Sequence, residues 1–239
     1  MANILITGSN RGIGLEFVKQ YLERGETVIA TCRRPEEAEE LDQLKQQNSE
    51  RLHVLELDVS DKDSMEKCRE SAGKLVDQLD ILVNNAGCFA EGEEGLETVD
   101  FDQVDFVFRT NALGPLYMCK LFADLLEKAT QGKVVSLTSG AGLLKEKEPE
   151  PGKQFSYGAT KAALHKFIRQ ASADLRERGV ICVGMAPGYV LTDMTRDGGN
   201  PPLDPPESVR GMIETTDKIS MLDAGSFYSH AGQVCDWLQ

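Results

Sequence analysis

Within its first 25 residues the chain runs from an apolar stretch, Asn3–Ile4–Leu5–Ile6–Thr7, through Gly8–Ser9–Asn10–Arg11–Gly12–Ile13–Gly14 into a second pattern. There Leu15, Phe17, Val18, Tyr21 and Leu22 fall at helical spacing before Gly25. Strand, glycine turn and helix make a βα unit, the building block of α/β folds. Glycines in such a turn let a ligand approach the backbone closely, and the helix start offers free N–H groups and the positive end of its dipole. A dinucleotide pyrophosphate fits that chemistry. The alternative is a tight turn that needs glycine only for its backbone angles. The spacing is TGxxxGxG rather than GxGxxG.

Further strand and helix patterns follow. A strand over Thr27–Cys32 ends in Arg33–Arg34, at the place roughly 20 residues past the turn where an acid would hold the adenosine ribose of NAD. A guanidinium there suits a 2′-phosphate and points to NADP(H), with Arg11 able to reach the same group; the lesser alternative is that either arginine is a solvated surface charge. Pro35–Gln47 reads as a charged surface helix and His53–Leu57 as the third strand, ending in Asp58–Val59. Asp58 can accept from an adenine amino group or help begin a helix, for which Ser60 to Asp63 supplies a start signal. The strand Asp80–Asn84 runs into Asn84–Asn85–Ala86–Gly87, which fits a sheet-edge turn or the floor under a cofactor. Phe101–Ala129 reads as one long helix disturbed at Asn111 and Gly114–Pro115, with a kink and a bound water near Asn111. The strand Val134–Leu137 brings the Ser139 hydroxyl to a carboxyl end of the sheet, the rim where ligands bind.

Tyr157 and Lys161 stand four residues apart in a segment that reads as helix to Arg178, so they share a face. A phenol is a reluctant acid at neutrality, and a fixed positive charge nearby is expected to lower its pKa and let it exchange a proton with a substrate oxygen. Alone this YxxxK spacing is common on surface helices.

Taken in order, Thr7–Gly8–Ser9–Asn10–Arg11–Gly12–Ile13–Gly14, Asn84–Asn85–Ala86–Gly87, Asn111, Ser139 and Tyr157–Gly158–Ala159–Thr160–Lys161 resemble the motif set of the short-chain dehydrogenase/reductases. The likeness extends to Pro187–Gly188–Tyr189–Val190–Leu191–Thr192–Asp193–Met194, matching the segment that closes over the nicotinamide in that family. This segment, with Gly225–His230 and Trp237, resembles the C-factor and sniffer-type carbonyl reductases. The resemblance implies one three-layer α/β/α domain over residues 1–239, a doubly wound seven-stranded parallel sheet, and a homodimer or homotetramer. It makes Tyr157 the general acid/base, Lys161 its partner and ribose ligand, Ser139 the donor to the substrate carbonyl, and Asn111 the anchor of a proton-relay water. Gly8, Asn10, Arg11, Gly12, Ile13, Gly14, Arg33, Asp58, Val59, Asn85, Ala86, Gly87, Pro187, Gly188, Val190 and Thr192 become the expected cofactor contacts, along with Tyr157 and Lys161.

The formal net charge of −13 disfavours a nucleic-acid partner, and the six scattered cysteines and three histidines form no metal-ligand spacing. With no leader or membrane-length apolar run, a soluble cytoplasmic protein with reduced thiols is expected. The charged stretch 143–155 borders the substrate pocket or is a solvated loop, and 193–208 is a lid or a long connection. Three functions stay in view: an NADPH-dependent reductase of aldehydes, ketones or quinones; an NADP-dependent alcohol dehydrogenase working oxidatively; and a dinucleotide-sensing signalling protein. The complete Asn111, Ser139, Tyr157, Lys161 set favours the first.

Overall fold

A computed structural model describes residues 1–91, 95–144, 155–195 and 201–235. In chain order the elements are β1 (Asn3–Thr7), α1 (Gly12–Glu23), β2 (Thr27–Cys32), α2 (Glu39–Gln47), β3 (Leu52–Glu56), α3 (Lys62–Leu75) and β4 (Ile81–Asn84). There follow α4 (Phe101–Phe108), α5 (Gly114–Glu127), β5 (Lys133–Leu137), α6 (Phe155–Arg176), β6 (Ile181–Ala186), α7 (Pro205–Lys218) and β7 (Phe227–Ser229). All seven strands are parallel, in the order β3-β2-β1-β4-β5-β6-β7.

The near-continuous apolar strands follow from burial on both faces. Ile4 and Ile6 of β1 pack with Phe17 and Val18 of α1, Leu41 of α2 and Val209 and Met212 of α7. Leu5 points the other way, into the layer built from Met65 of α3, Phe122 of α5 and Leu164 of α6. The sheet is therefore wound in both directions from β1, and the strand order reverses between β1 and β4. At such a reversal the loops leaving the two strands part and open a crevice at their carboxyl ends. Those loops are the glycine turn and Asn84–Gly87.

The long helix expected over Phe101–Ala129 divides into α4 and α5 around a π-helical turn, Arg109–Leu113, that carries Asn111. Gly114 sits where any Cβ would lie 2.6 Å from the Val59 carbonyl oxygen, so the start of α5 packs directly on the loop after β3.

Three expected boundaries are corrected. Pro35–Gln47 is not one helix: a 3-10 turn over Pro35–Glu37 stops at Ala38, whose φ of −93° and ψ of 67° turn it into the core before α2 begins. The start signal at Ser60 is not the cap, because Asp61 accepts from the Asp63 N–H while the Ser60 hydroxyl turns back to Asp58. The connection after β6 is shorter than expected, since Pro205 at the helix start brings α7 forward to Pro205–Lys218. Most of the charged stretch 143–155, residues 196–200 of the expected lid, and Trp237 lie outside the described residues. Among the described residues no helix is long and apolar enough to cross a membrane.

Candidate active site

At the crevice, Gly8 and Gly12 hold φ values of 67° and 56°, the left-handed region that side chains disfavour. A Cβ on Gly14 would collide with the Gly8 carbonyl and stand 2.5 Å from Asn85 Nδ2. Asn85 ties this turn to the β4 loop, its Nδ2 donating to the carbonyls of Thr7 at 2.8 Å and Gly8 at 3.0 Å. The Thr7 hydroxyl accepts in return from the N–H groups of Asn85 and Ala86, both at 3.0 Å. The first turn of α1 has no side-chain cap and no acidic residue. A glycine cradle over an uncapped helix start fits a pyrophosphate, with N–H groups unused by the helix facing it.

Arg33, at the end of β2, is exposed and has no ion-pair partner among the described residues, whereas Arg34 is engaged with Glu37 at 3.1 Å. Arg11 pairs with Asp193 at 3.1 Å across the glycine turn. Asp58 Oδ1 accepts from the backbone N–H and hydroxyl of Ser60, which organises the loop, and buried Val59 lies under the start of α5. Asn10 is exposed and Ile13 half-buried at the mouth of the turn; Ala86 and Gly87 follow Asn85 at its floor.

The segment after β6 arches over the same place. Gly188 turns with φ 85°, Leu191 N–H donates to the Leu203 carbonyl at 2.9 Å, and Ser208 donates to the Pro187 carbonyl at 2.7 Å. Val190 is buried, with Thr195 donating to its carbonyl at 2.6 Å. Thr192 comes within 3.5 Å of where a Gly12 Cβ would stand.

Ser139, just past β5, caps a 3-10 turn, Gly140–Gly142, by accepting from the Ala141 N–H at 3.2 Å. Gly142 lets that turn pack on α6, since a Cβ there would lie 2.7 Å from the Lys161 carbonyl carbon and from His165 Cε1. This docking brings Ser139 to Tyr157, in the first turn of α6. Lys161 lies one turn on, 6% exposed, donating from Nζ to the Leu137 carbonyl at 2.9 Å and standing 5.6 Å over the Tyr157 ring centroid.

The electrostatics correct one expectation. The Tyr157 phenol is held above its ordinary pKa, chiefly by burial, with hydrogen bonding from Ser139 opposing the rise. Burial also lowers Lys161 to about 8. Desolvation of the phenolate outweighs the attraction expected from i,i+4 spacing, because Nζ is directed to Leu137 and the ring face.

Asn111, 1% exposed, spends its amide on structure: Nδ2 donates to the Cys88 carbonyl at 2.8 Å and the Thr160 hydroxyl at 3.2 Å, and Oδ1 accepts from the Cys88 N–H at 2.9 Å. Thr160 in turn donates to the Tyr157 carbonyl at 2.7 Å. Three neighbours were not anticipated. Thr160 and His165 lay inside the helix pattern already used to place Lys161, and Phe89 directly follows the Asn84–Gly87 motif and Cys88. His165 is lowered to about 4 by burial and then by the Lys161 charge, so it adds no second cation beside that ammonium at neutral pH.

The family model for short chain dehydrogenases matches residues 2–201. The chain belongs to the short-chain dehydrogenase/reductase family. An uncharacterized oxidoreductase of Schizosaccharomyces pombe is 30% identical over 95% of this chain and 94% of its own. Among solved structures, the NADPH-bound carbonyl reductase from chicken fatty liver is 32% identical, with 99% of each chain covered and a TM-score of 0.90. The carbonyl reductase Sniffer of Drosophila melanogaster is 31% identical, with 98% of each covered and a TM-score of 0.88. This short-chain dehydrogenase/reductase is thus an oxidoreductase whose fold matches sniffer-type carbonyl reductases along nearly its whole length.

Proposed function

We propose that the protein is an NADPH-dependent carbonyl reductase acting on aldehydes, ketones or quinones. The observation that carries this reading is the meeting of the Ser139 hydroxyl and the Tyr157 phenol at the carboxyl rim of the sheet, beside a glycine cradle suited to a dinucleotide. The cradle of Gly8, Gly12 and Gly14 with the start of α1 holds the pyrophosphate. Arg33 reads the 2′-phosphate, and Arg11 joins it on exchanging its exposed pair with Asp193 for the phosphate. The segment Pro187–Thr192 covers the nicotinamide end.

NADPH, when bound, supplies the hydride that reaches the carbonyl carbon. The chain manages the oxygen: Ser139 donates to it, and Tyr157 gives it a proton as alkoxide charge develops. Lys161, charged below pH about 8, supplies a positive field beside the phenol and a donor for the ribose. Asn111 holds the Cys88 loop and α6 in register and stands at the π-helical turn, where a relay water would return a proton.

The raised phenol pKa keeps Tyr157 in the protonated form that donates in carbonyl reduction. The same group serves alcohol oxidation in reverse, and the net direction follows the cofactor ratio and the substrate. The test is NADPH and NADH oxidation with a panel of aldehydes, diketones and quinones. Carbonyl-dependent loss of NADPH, faster than that of NADH, is the expected result. Oxidation of alcohols with NADP but no reduction of any carbonyl would overturn the direction assigned.

A further inference from the structure

No step described above uses Phe89. Its ring lies edge-on to the ring of Tyr157, with centroids 4.3 Å apart and planes at 61°. The contact is fixed from the backbone. Cys88, the residue before it, has its N–H and its carbonyl both held by Asn111, and Asn111 also bonds Thr160, whose hydroxyl holds the Tyr157 carbonyl. Phe89 therefore stands on the same frame as the phenol it touches.

A phenylalanine recruited only for packing would bury its ring, yet Phe89 stays 37% exposed. Leu144, Phe155, Tyr189, Leu191 and Met194 are exposed too. All six lie on segments leaving the carboxyl ends of β4, β5 and β6 or at the start of α6, the rim on which Ser139 and Tyr157 meet. Exposed apolar side chains on the segments of a reactive rim fit a surface that a ligand covers. Of these, Phe89 is the one in ring contact with the Tyr157 phenol ring.

We infer that Phe89 is a specificity-determining residue of this site, its ring selecting carbonyl substrates that carry an aromatic ring beside the reacting carbon. The inference rests on the carbonyl-reductase reading. An aromatic ring offers Phe89 an edge-to-face or offset-stacked partner, while a saturated ring of equal size offers only apolar area. Phe89 is a positioning residue, because the proton and the hydride are handled elsewhere.

The experiment compares acetophenone with cyclohexyl methyl ketone, which share ring size and differ in aromaticity, using NADPH and the full chain. In Phe89→Ala the acetophenone to cyclohexyl methyl ketone ratio of kcat/KM falls about three- to tenfold against wild type, mainly through a higher KM for acetophenone. Phe89→Trp restores most of the ratio. If Phe89→Ala does not fold, Phe89→Leu carries the same comparison. Equal losses for both ketones would reduce Phe89 to a packing support for Tyr157 and overturn the inference. Equal gains would make it an obstruction and overturn it as well. A wild-type protein that reduces hexanal but neither ketone overturns this inference alone. One that reduces no carbonyl overturns the reading beneath it too.

Discussion

Lys161 stands over the face of Tyr157, its Nζ 5.6 Å from the ring centroid, and gives a hydrogen bond to the Leu137 carbonyl at the end of β5. The pair is joined by an ammonium above a π-system rather than by a link to the phenol oxygen. In a desolvated site that contact is worth up to about 2 kcal/mol, and it anchors the first turns of α6 to the strand that delivers Ser139. Lys161 and Leu137 thus set the position of the proposed proton donor, while burial raises its pKa.

The Lys161 charge gives the protein a pH limb. Burial lowers this lysine to about 8, so it is an ammonium below that pH and loses its charge above it. Tyr157, raised above its ordinary value, stays protonated through the same range. The value of kcat/KM for NADPH, which reports the free enzyme, is expected to be flat below pH about 8 and to fall above it. Lys161→Arg should lower the plateau and move the limb upward, because a guanidinium does not titrate there. A limb that stays put in the variant would assign it to another group.

Among the described residues Arg33 is the guanidinium at the β2 end without an ion pair, since Arg34 is held by Glu37. Arg33→Ala should weaken NADPH by about 1.5–3 kcal/mol, the worth of a charged hydrogen bond, and leave NADH little changed. Titration of each dinucleotide into the protein measures both. Equal weakening of the two would place the recognition of the 2′-phosphate elsewhere.

Gly14 and Gly25 test the cradle against simple strain. Gly14→Ala sets a methyl against the Gly8 carbonyl and Asn85 Nδ2, and should abolish NADPH binding. Gly25→Ala meets no atom within 4 Å, but its φ of 83° makes alanine strained. It should cost about 1–2 kcal/mol of stability and leave NADPH affinity unchanged. Loss of affinity in both would trace the Gly14 effect to general destabilisation.

Asn111→Ala strips partners from the Cys88 N–H and carbonyl and from the Thr160 hydroxyl. Unfolding in urea should show a loss of about 3 kcal/mol, as buried groups are left unsatisfied. A loss under about 1 kcal/mol would mean that water replaces the amide at little cost.

The sequence of βα units, the glycine turn and the shared helix face of Tyr157 and Lys161 were legible because local signals carry them, whereas the meeting of Ser139 with Tyr157 was implied by the family resemblance alone and the β1–β4 crevice follows from the strand order. Glycines mark the turn, apolar runs mark strands buried on both faces, and i,i+4 spacing sets a shared helix face. The sign of the Tyr157 shift was not legible. Spacing reports that a cation is near, but desolvation depends on what covers the ring, and Phe89 comes from a loop 68 positions away, the difference between 157 and 89. The same holds for Asn111. Its place in a disturbed helix could be read, while its bonds to Cys88 and Thr160 join three separate segments. The break at Ala38 escaped because the charged residues around it are good helix formers, and burial of Ala38 and Leu41 against the sheet decides the path.

The most direct test of the account is Tyr157→Phe, with NADPH affinity and NADPH-dependent carbonyl reduction measured on the same preparation. Removal of one hydroxyl should lower kcat by about 10²–10⁴, the range for a positioned general acid, with the dissociation constant for NADPH changed by less than about threefold, below 1 kcal/mol. Turnover that persists at the wild-type rate would contradict the assignment of Tyr157 as the proton donor.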